Sequence, residues 1–379
     1  MITMGSLFDG SGGFPLAGTL AGIKPVWASE IEPYPMRVTA ARFPEMKQLG
    51  DVTKINGAEI EPVDVITFGS PCQDLSTAGK QAGIHDGKRS CLFFEAIRII
   101  REMRSATYGR YPAFAVWENV PGAFSSNRGE DFREVLEAFV ETIERKHIDV
   151  PRPEDGWRGA GCIRTDHGSV AWRVLDAQYW GVPQRRRRIY LTAALRDQRA
   201  AEILFEREGL RGDTAESREA RERNPGGNEA GVSLYEPKSI KNENWVEKCV
   251  KSPLRAEESK SSHVLVEPQI AKCLIARGDG TPCVDRGINI IVQTKNLNAI
   301  KASMGAGGNQ APIKIDQQYI ARRLTPLECC RLQGFPDWWE DGVEGSDTAR
   351  YKMWGNGIAL PCARYVMEGI ADQFAGWGE

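Results

Sequence analysis

A zinc-ligand spacing, a disulfide framework, a membrane span and a strong charge of either sign are all missing from this 379-residue sequence. Its four histidines and nine cysteines contain no CxxC pair, and none of the histidines is spaced to complete a zinc site, so no metal is expected. The cysteines are odd in number, scattered, and include the adjacent pair Cys329-Cys330, which suits neither a disulfide scaffold nor a secreted protein; reduced thiols are expected. No apolar run approaches the roughly 20 residues that a membrane span needs. Met1 to Ser6 lacks the basic start and apolar core of a signal peptide, so a cytoplasmic protein with no membrane partner is expected. A net charge of −2 neither announces nor excludes a polyanionic partner, because a basic cleft can sit on a neutral protein.

What is present is an ordinary globular composition, 41% hydrophobic and 26% charged, in a chain long enough for two domains and a sizeable core. Apolar strand-like runs alternate with helical stripes. Val63 to Phe68 reads as a buried strand that delivers Gly69-Ser70-Pro71-Cys72-Gln73 at its carboxyl end, where open α/β sheets place their chemistry. Cys72 taken alone is more often a packed thiol than a reactive one. Ile2 to Phe8 is a second such strand, running into Asp9-Gly10-Ser11-Gly12-Gly13-Phe14. The third glycine of a dinucleotide fingerprint would fall at Pro15, which disfavours a phosphate-cradling loop. A strand from Pro25 ends in Glu30, about twenty residues past the first glycine, the place where such folds bind ribose hydroxyls. Gly50-Asp51-Val52 reads as a third strand end, and Asp74 to Gly83 as a polar, glycine-dotted lid.

Phe93, Ala96, Ile97, Ile100 and Met103 form one core-facing helical stripe, and Phe132, Val135, Leu136, Phe139 and Ile143 another. Between them, Ala113 to Trp117 is a buried strand that ends in Glu118-Asn119. Arg145 to Asp166 is charged and proline-bearing, a surface insertion without readable chemistry. Strands are expected over Ser169 to Leu175 and Arg188 to Ala193, preceded by Gln184-Arg185-Arg186-Arg187-Arg188. Alternation puts Arg186 and Arg188 on the face of Gln184, with Arg185 and Arg187 opposite; such a run is either a solvated face or a clamp for phosphate or base. Composition changes near Arg196. Residues 206–231 read as a flexible connection, and residues 232–315 carry 12 Lys/Arg against 8 Asp/Glu, a mildly basic second module of short strands and glycine-rich loops. Thr325-Pro326-Leu327-Glu328 is a capping box with Gly334 as the stop, and Trp354 to Pro361 opens a terminal helix that ends near Phe374.

Six pieces of the chain, in this order, resemble the DNA cytosine-5 methyltransferase family: Phe8-Asp9-Gly10-Ser11-Gly12-Gly13; Gly69-Ser70-Pro71-Cys72-Gln73; Glu118-Asn119-Val120; Gln184 to Arg188; Arg322 to Glu328 with Arg331-Leu332-Gln333-Gly334-Phe335-Pro336; and Gly355-Asn356-Gly357. The resemblance implies an α/β fold, a doubly wound, mainly parallel Rossmann-like sheet, with a smaller β-rich target-recognition domain. It implies a catalytic domain over residues 1–195, a recognition domain with its entry linker over 196–318, and a return to the catalytic domain over 319–379. S-adenosylmethionine is the implied cofactor, against Phe8, Asp9, Gly10, Gly12, Gly13, Ile31, Pro71, Asn356 and Gly357, with Glu30 on its ribose and Asp51 on its adenine. Cys72 is implied as nucleophile, Glu118 as the carboxyl at the base, Asn119 as its positioner, and Arg186 and Arg188 as the grip on base or phosphate. The implied partner is double-stranded DNA, with no obligate protein partner and room for a cognate restriction endonuclease in the same cell. A transfer RNA methyltransferase of the same family is the nearest rival, disfavoured by the long insert. A zinc deaminase lacks its HxE and second cysteine pair here, and a noncatalytic DNA-binding regulator does not account for Cys72 and Glu118 together.

Overall fold

A computed structural model describes residues 1–70, 92–205 and 324–375, with the backbone of the strands Val232–Pro237, Trp245–Val246, Ala271–Lys272, Ile275–Ala276, Pro282–Cys283, Ile290–Thr294 and Tyr319–Arg323. The expected lid from Asp74 to Gly83, the connection over 206–231 and the loops of the second module lie outside the described residues, as do Pro71 and Cys72.

Strands β1 (Thr3–Leu7), β2 (Lys24–Ser29), β3 (Lys47–Gln48), β4 (Val65–Phe68), β5 (Phe114–Asn119), β6 (Ala160–Arg164), β7 (Ser169–Asp176), β8 (Gln184–Arg185) and β9 (Arg187–Ala194) build the main body. All but β8 join one sheet of order β3-β2-β1-β4-β5-β9-β7-β6. The pairings from β3 to β5 are parallel, and β9, β7 and β6 extend them antiparallel. Every residue of β4 and four of the five in β1 are buried, as strands covered on both faces must be. The strand order turns at β1, which lies between β2 and β4. In such sheets the crevice opens beyond the carboxyl ends at that turning point, and here those ends carry Phe8 to Gly13 and Gly69-Ser70.

Helices cover both faces. On one, α3 (Leu92–Ala106) and α4 (Glu130–Glu144) bury their predicted stripes against Leu7, Ile66, Phe68, Trp117 and Leu191. On the other, α1 (Gly13–Leu20) packs with α5 (Ala200–Phe205) and the returning helices α6 (Pro326–Leu332), α7 (Asp347–Asn356) and α8 (Leu360–Ala375). Each large apolar side chain buried this way contributes about 1.5–3 kcal/mol. The capping box at Thr325 and Glu328 is formed, with Pro326 in the first turn and Gly334 at φ 80°.

Three expectations change. The third strand is two residues long and stops at Gln48, because Asp51 turns its carboxylate back onto Thr53 and starts a short 3-10 helix. Trp354 to Asn356 do not open the terminal helix; they close α7, whose start is capped by Ser346, and α8 begins afresh at Leu360. The 145–166 stretch is not bare insertion. It supplies edge strand β6, and its Trp157 packs edge-on against Phe132 and Trp172. In the second module, Trp245–Val246, Val232–Pro237, Ile290–Thr294 and Tyr319–Arg323 form an antiparallel four-stranded sheet, and Leu324 is a buried residue of the returning core.

Candidate active site

The first half of the site is the turn after β1. Phe8 sits at φ 54°, a left-handed conformation that a bulky residue adopts at a cost of about 1–2 kcal/mol. Gly10 follows at φ 56°, and a Cβ there would meet nothing closer than the Phe8 carbonyl at 3.9 Å, so this side of the turn is open for a ligand to approach. Glu30, at the end of β2, fixes the turn from beside it: one carboxylate oxygen accepts from the Gly10 N–H at 2.8 Å, the other from the N–H groups of Ile31 and Glu32 at 2.7 and 2.9 Å. The oxygen that takes the Gly10 N–H keeps acceptor capacity for a hydroxyl. Ile31 stands beside it with 66% of its surface exposed, an apolar face for a flat ring. Ser29 Oγ donates to the Gly50 carbonyl at 2.6 Å, which brings Asp51 to the same edge. Hydrogen bonds from the Thr53 backbone and side chain hold the Asp51 carboxyl below its usual range, so it is an ionised acceptor at neutral pH.

Asp9 points the other way. It is buried, accepts from Ser6 Oγ at 2.7 Å, and burial pushes its pKa up to about 8. Glu30 nearby adds a smaller push in the same direction. A carboxyl protonated in the fold but ionised in the open chain stabilises the fold fully below pH 4, and that stability drains away as pH rises towards 8. Asp9→Asn is therefore expected to melt close to the wild type at pH 4 and above it by several degrees at pH 8 to 9. Melting curves that run parallel across that window would show that Asp9 is charged in the fold.

The chain's last segment closes on this turn. Trp339 Nε1 donates to the Ser11 carbonyl at 2.8 Å. A Cβ on Gly13 would lie 2.0 Å from Ile358 Cγ2, and one on Gly357 would lie 2.9 Å from Ser11 Oγ, so both glycines are needed for the close approach. Asn356, between buried Gly355 and Gly357, is exposed at the rim.

The second half lies at the ends of β4 and β5. Asn119 Nδ2 donates to the Ser70 carbonyl at 3.2 Å and Trp117 Nε1 to Ser70 Oγ at 3.1 Å, so β5 holds the chain two residues before Cys72. Glu118 lies over that chain, its Oε2 3.1 Å from where a Gly69 Cβ would be. Arg188 Nε pairs with Glu118 Oε1 at 3.0 Å, off the line of a hydrogen bond, and the two side chains are only 12% and 15% exposed. The predicted alternation holds: Gln184 and Arg186 are buried and Arg188 half-buried, with Arg185 and Arg187 exposed. Arg186, however, is brought to the Gly355 and Gly357 carbonyls.

Gln184, Gln333, Trp339 and Ser11 organise the site although their types gave no such signal. Gln184 Nε2 donates to the Leu332 carbonyl at 3.0 Å and Gln333 Nε2 to the Trp354 carbonyl at 2.7 Å, both within the core. Cys329, Cys330 and Cys362 are buried, and desolvation raises each thiol, the first two to about 12, so none of them is a thiolate at neutral pH.

A family model described as C-5 cytosine-specific DNA methylase matches residues 2–143 and 167–372. The stretch it passes over contains β6. A protein named DNA N-6-adenine-methyltransferase, from Escherichia phage P1, is 28% identical over 464 aligned residues that cover 97% of this chain and 60% of the relative. Type II methyltransferase M.MspI of Moraxella sp. is 31% identical over 366 residues, covering 96% and 69%. Dnmt2 methyltransferase of S. pombe shares the fold, with a TM-score of 0.56, 17% identity and 99% of both chains covered. The chain spans only 35–60% of the length of the first curated relatives it matches.

Proposed function

Because the chain belongs to the C-5 cytosine-specific DNA methylases, we propose that it moves a methyl group from S-adenosylmethionine to carbon 5 of a cytosine in duplex DNA, through a transient bond between Cys72 and carbon 6. The observation that carries this reading is Glu118: a carboxyl oriented by Arg188 and laid over Gly69, beside the chain that leads into Cys72.

Carbon 5 of cytosine is a weak nucleophile. Addition of the Cys72 thiolate to carbon 6 forms the sulfur–carbon bond and pushes the ring's π pair towards carbon 5. Glu118 gives a proton to N3 as charge builds on the ring, which keeps the adduct neutral. Carbon 5 then takes the methyl group. A base, water being one option, removes the carbon 5 proton, the sulfur leaves with its electron pair, and the N3 proton returns to Glu118. Asn119 keeps the cysteine segment in place throughout by holding the Ser70 carbonyl.

The described residues fit the cofactor. Its sulfonium supplies an electrophilic methyl when bound. Glu30 would accept a ribose hydroxyl, the ionised Asp51 its adenine amine, Ile31 would lie on the purine, and Asn356 and the open side of Gly10 would take the remainder. A stacked base cannot reach such a pocket, so the target must swing out, at a cost of a few kcal/mol. The segment inserted between Phe205 and Leu324 would read the groove.

The phage relative's name gives a second reading, transfer to the N6 amine of adenine. That amine carries its own lone pair and needs no cysteine adduct, and the match leaves part of that relative uncovered. Incubation with methyl-labelled S-adenosylmethionine and mixed-sequence duplex DNA, followed by nucleoside analysis, is expected to put label in 5-methylcytosine. Label in N6-methyladenine overturns the proposal, and label only in transfer RNA moves the chain to the RNA-modifying branch.

A further inference from the structure

We propose that Arg186 is a positioning residue for the cofactor, seating Asn356 against the glycine turn rather than gripping a base or phosphate. The proposal rests on the reading of Asn356 as a cofactor contact. A helix leaves its last four carbonyls without partners of its own, and α7 ends on Asn356. The side chains that meet those carbonyls come from elsewhere: Gln333 takes Trp354 at 2.7 Å, and the Arg186 guanidinium takes Gly355 at 3.4 Å together with the adjoining Gly357. A fixed cation there also complements the negative end of the helix dipole.

Arg186 can act as an anchor because its own backbone is held. Its N–H donates to Asp176 Oδ1 at 3.1 Å, and its carbonyl accepts from the Ala177 N–H at 3.1 Å. With only 3% of its surface exposed, the residue is walled in. What it holds is also in contact with the turn, since Gly357 leaves no room for a Cβ against Ser11. Moving the Gly355 to Gly357 backbone therefore moves Asn356 and loosens the glycine turn together. Two positions along the same face, Arg188 reaches Glu118. One run of arginines thus serves the reacting base and the cofactor separately.

The test is calorimetric binding of S-adenosylmethionine to the full chain without DNA. Arg186→Gln is expected to raise Kd by about 10- to 100-fold, the effect of losing a charged hydrogen bond, and Arg186→Lys by less. The affinity for duplex DNA and its salt dependence should stay at wild-type values. In a cycle with Asn356→Ala the two losses should overlap rather than add, since both act through one contact. Unchanged cofactor affinity with a weaker, less salt-sensitive grip on DNA would make Arg186 a phosphate clamp and overturn the proposal. Fully additive losses would overturn it too. Should the glutamine variant lack a folding transition, the lysine variant, alone and in its own cycle with Asn356→Ala, decides. A wild type that binds the cofactor yet makes no 5-methylcytosine would sink the methylation reading alone, whereas variants that bind like the wild type would sink only this one.

Discussion

Cys72→Ser is expected to slow methyl transfer by on the order of 10⁴-fold or more, the scale seen when a covalent nucleophile is removed. Affinity for the cofactor should not change. A thiol with an ordinary pKa near 8.5 supplies some thiolate at neutral pH, whereas a serine hydroxyl supplies essentially no alkoxide. Every later step needs the carbon 6 adduct, because without it carbon 5 does not become enamine-like. Single-turnover transfer measures the rate. A duplex carrying 5-fluorocytosine gives a second readout, since fluorine cannot leave as a proton does, and the wild type should stay bound to it through denaturation. A serine variant that kept a tenth of the rate, or that was trapped equally well, would remove Cys72 from the mechanism.

Glu118→Gln should lower kcat by about 10²- to 10³-fold, within the range that a positioned general acid contributes. The amide keeps the shape over Gly69 but has no proton to give to N3. It also leaves Arg188 without its carboxylate partner in a place where that side chain is 12% exposed. Removing one member of a largely buried pair costs up to about 3–5 kcal/mol, so some loss of melting temperature should accompany the loss of rate. Calorimetric cofactor affinity separates the two effects, because Glu30 and Asp51 lie on the other half of the site. A glutamine variant within threefold of the wild-type kcat would show that ring protonation comes from elsewhere.

The strand ends were readable because a buried parallel strand is written locally, as a short apolar run with a polar residue at its end. That is why Glu30, Gly69 and Glu118 fall where the pattern puts them. The arginine run shows the limit of such patterns. Alternation sorted Arg186 and Arg188 from Arg185 and Arg187, yet it carries no information about partners. Arg188 meets Glu118 and Arg186 meets Gly355 and Gly357 through folding that joins distant parts of the chain. The partners of Gln333 and Trp339 were hidden for the same reason, since their hydrogen bonds reach Trp354 and Ser11. β6 escaped because an edge strand with three exposed positions in five has no apolar run to reveal it. Asp9 is a cofactor residue only by the family resemblance; that its side chain is buried against Ser6 Oγ is a direction that no spacing encodes.

The seating of Ser11 and Gly13 by Trp339, Gly357 and Ile358 also imposes an order in time. The turn leaves the ribosome more than 300 residues ahead of the side chains that seat it. At roughly 5–20 residues per second, translation separates the two by about 20–70 s. During that interval the glycine turn of a nascent chain lacks the side chains that seat it, so a chain cut short before Trp339 is expected to carry the turn unseated.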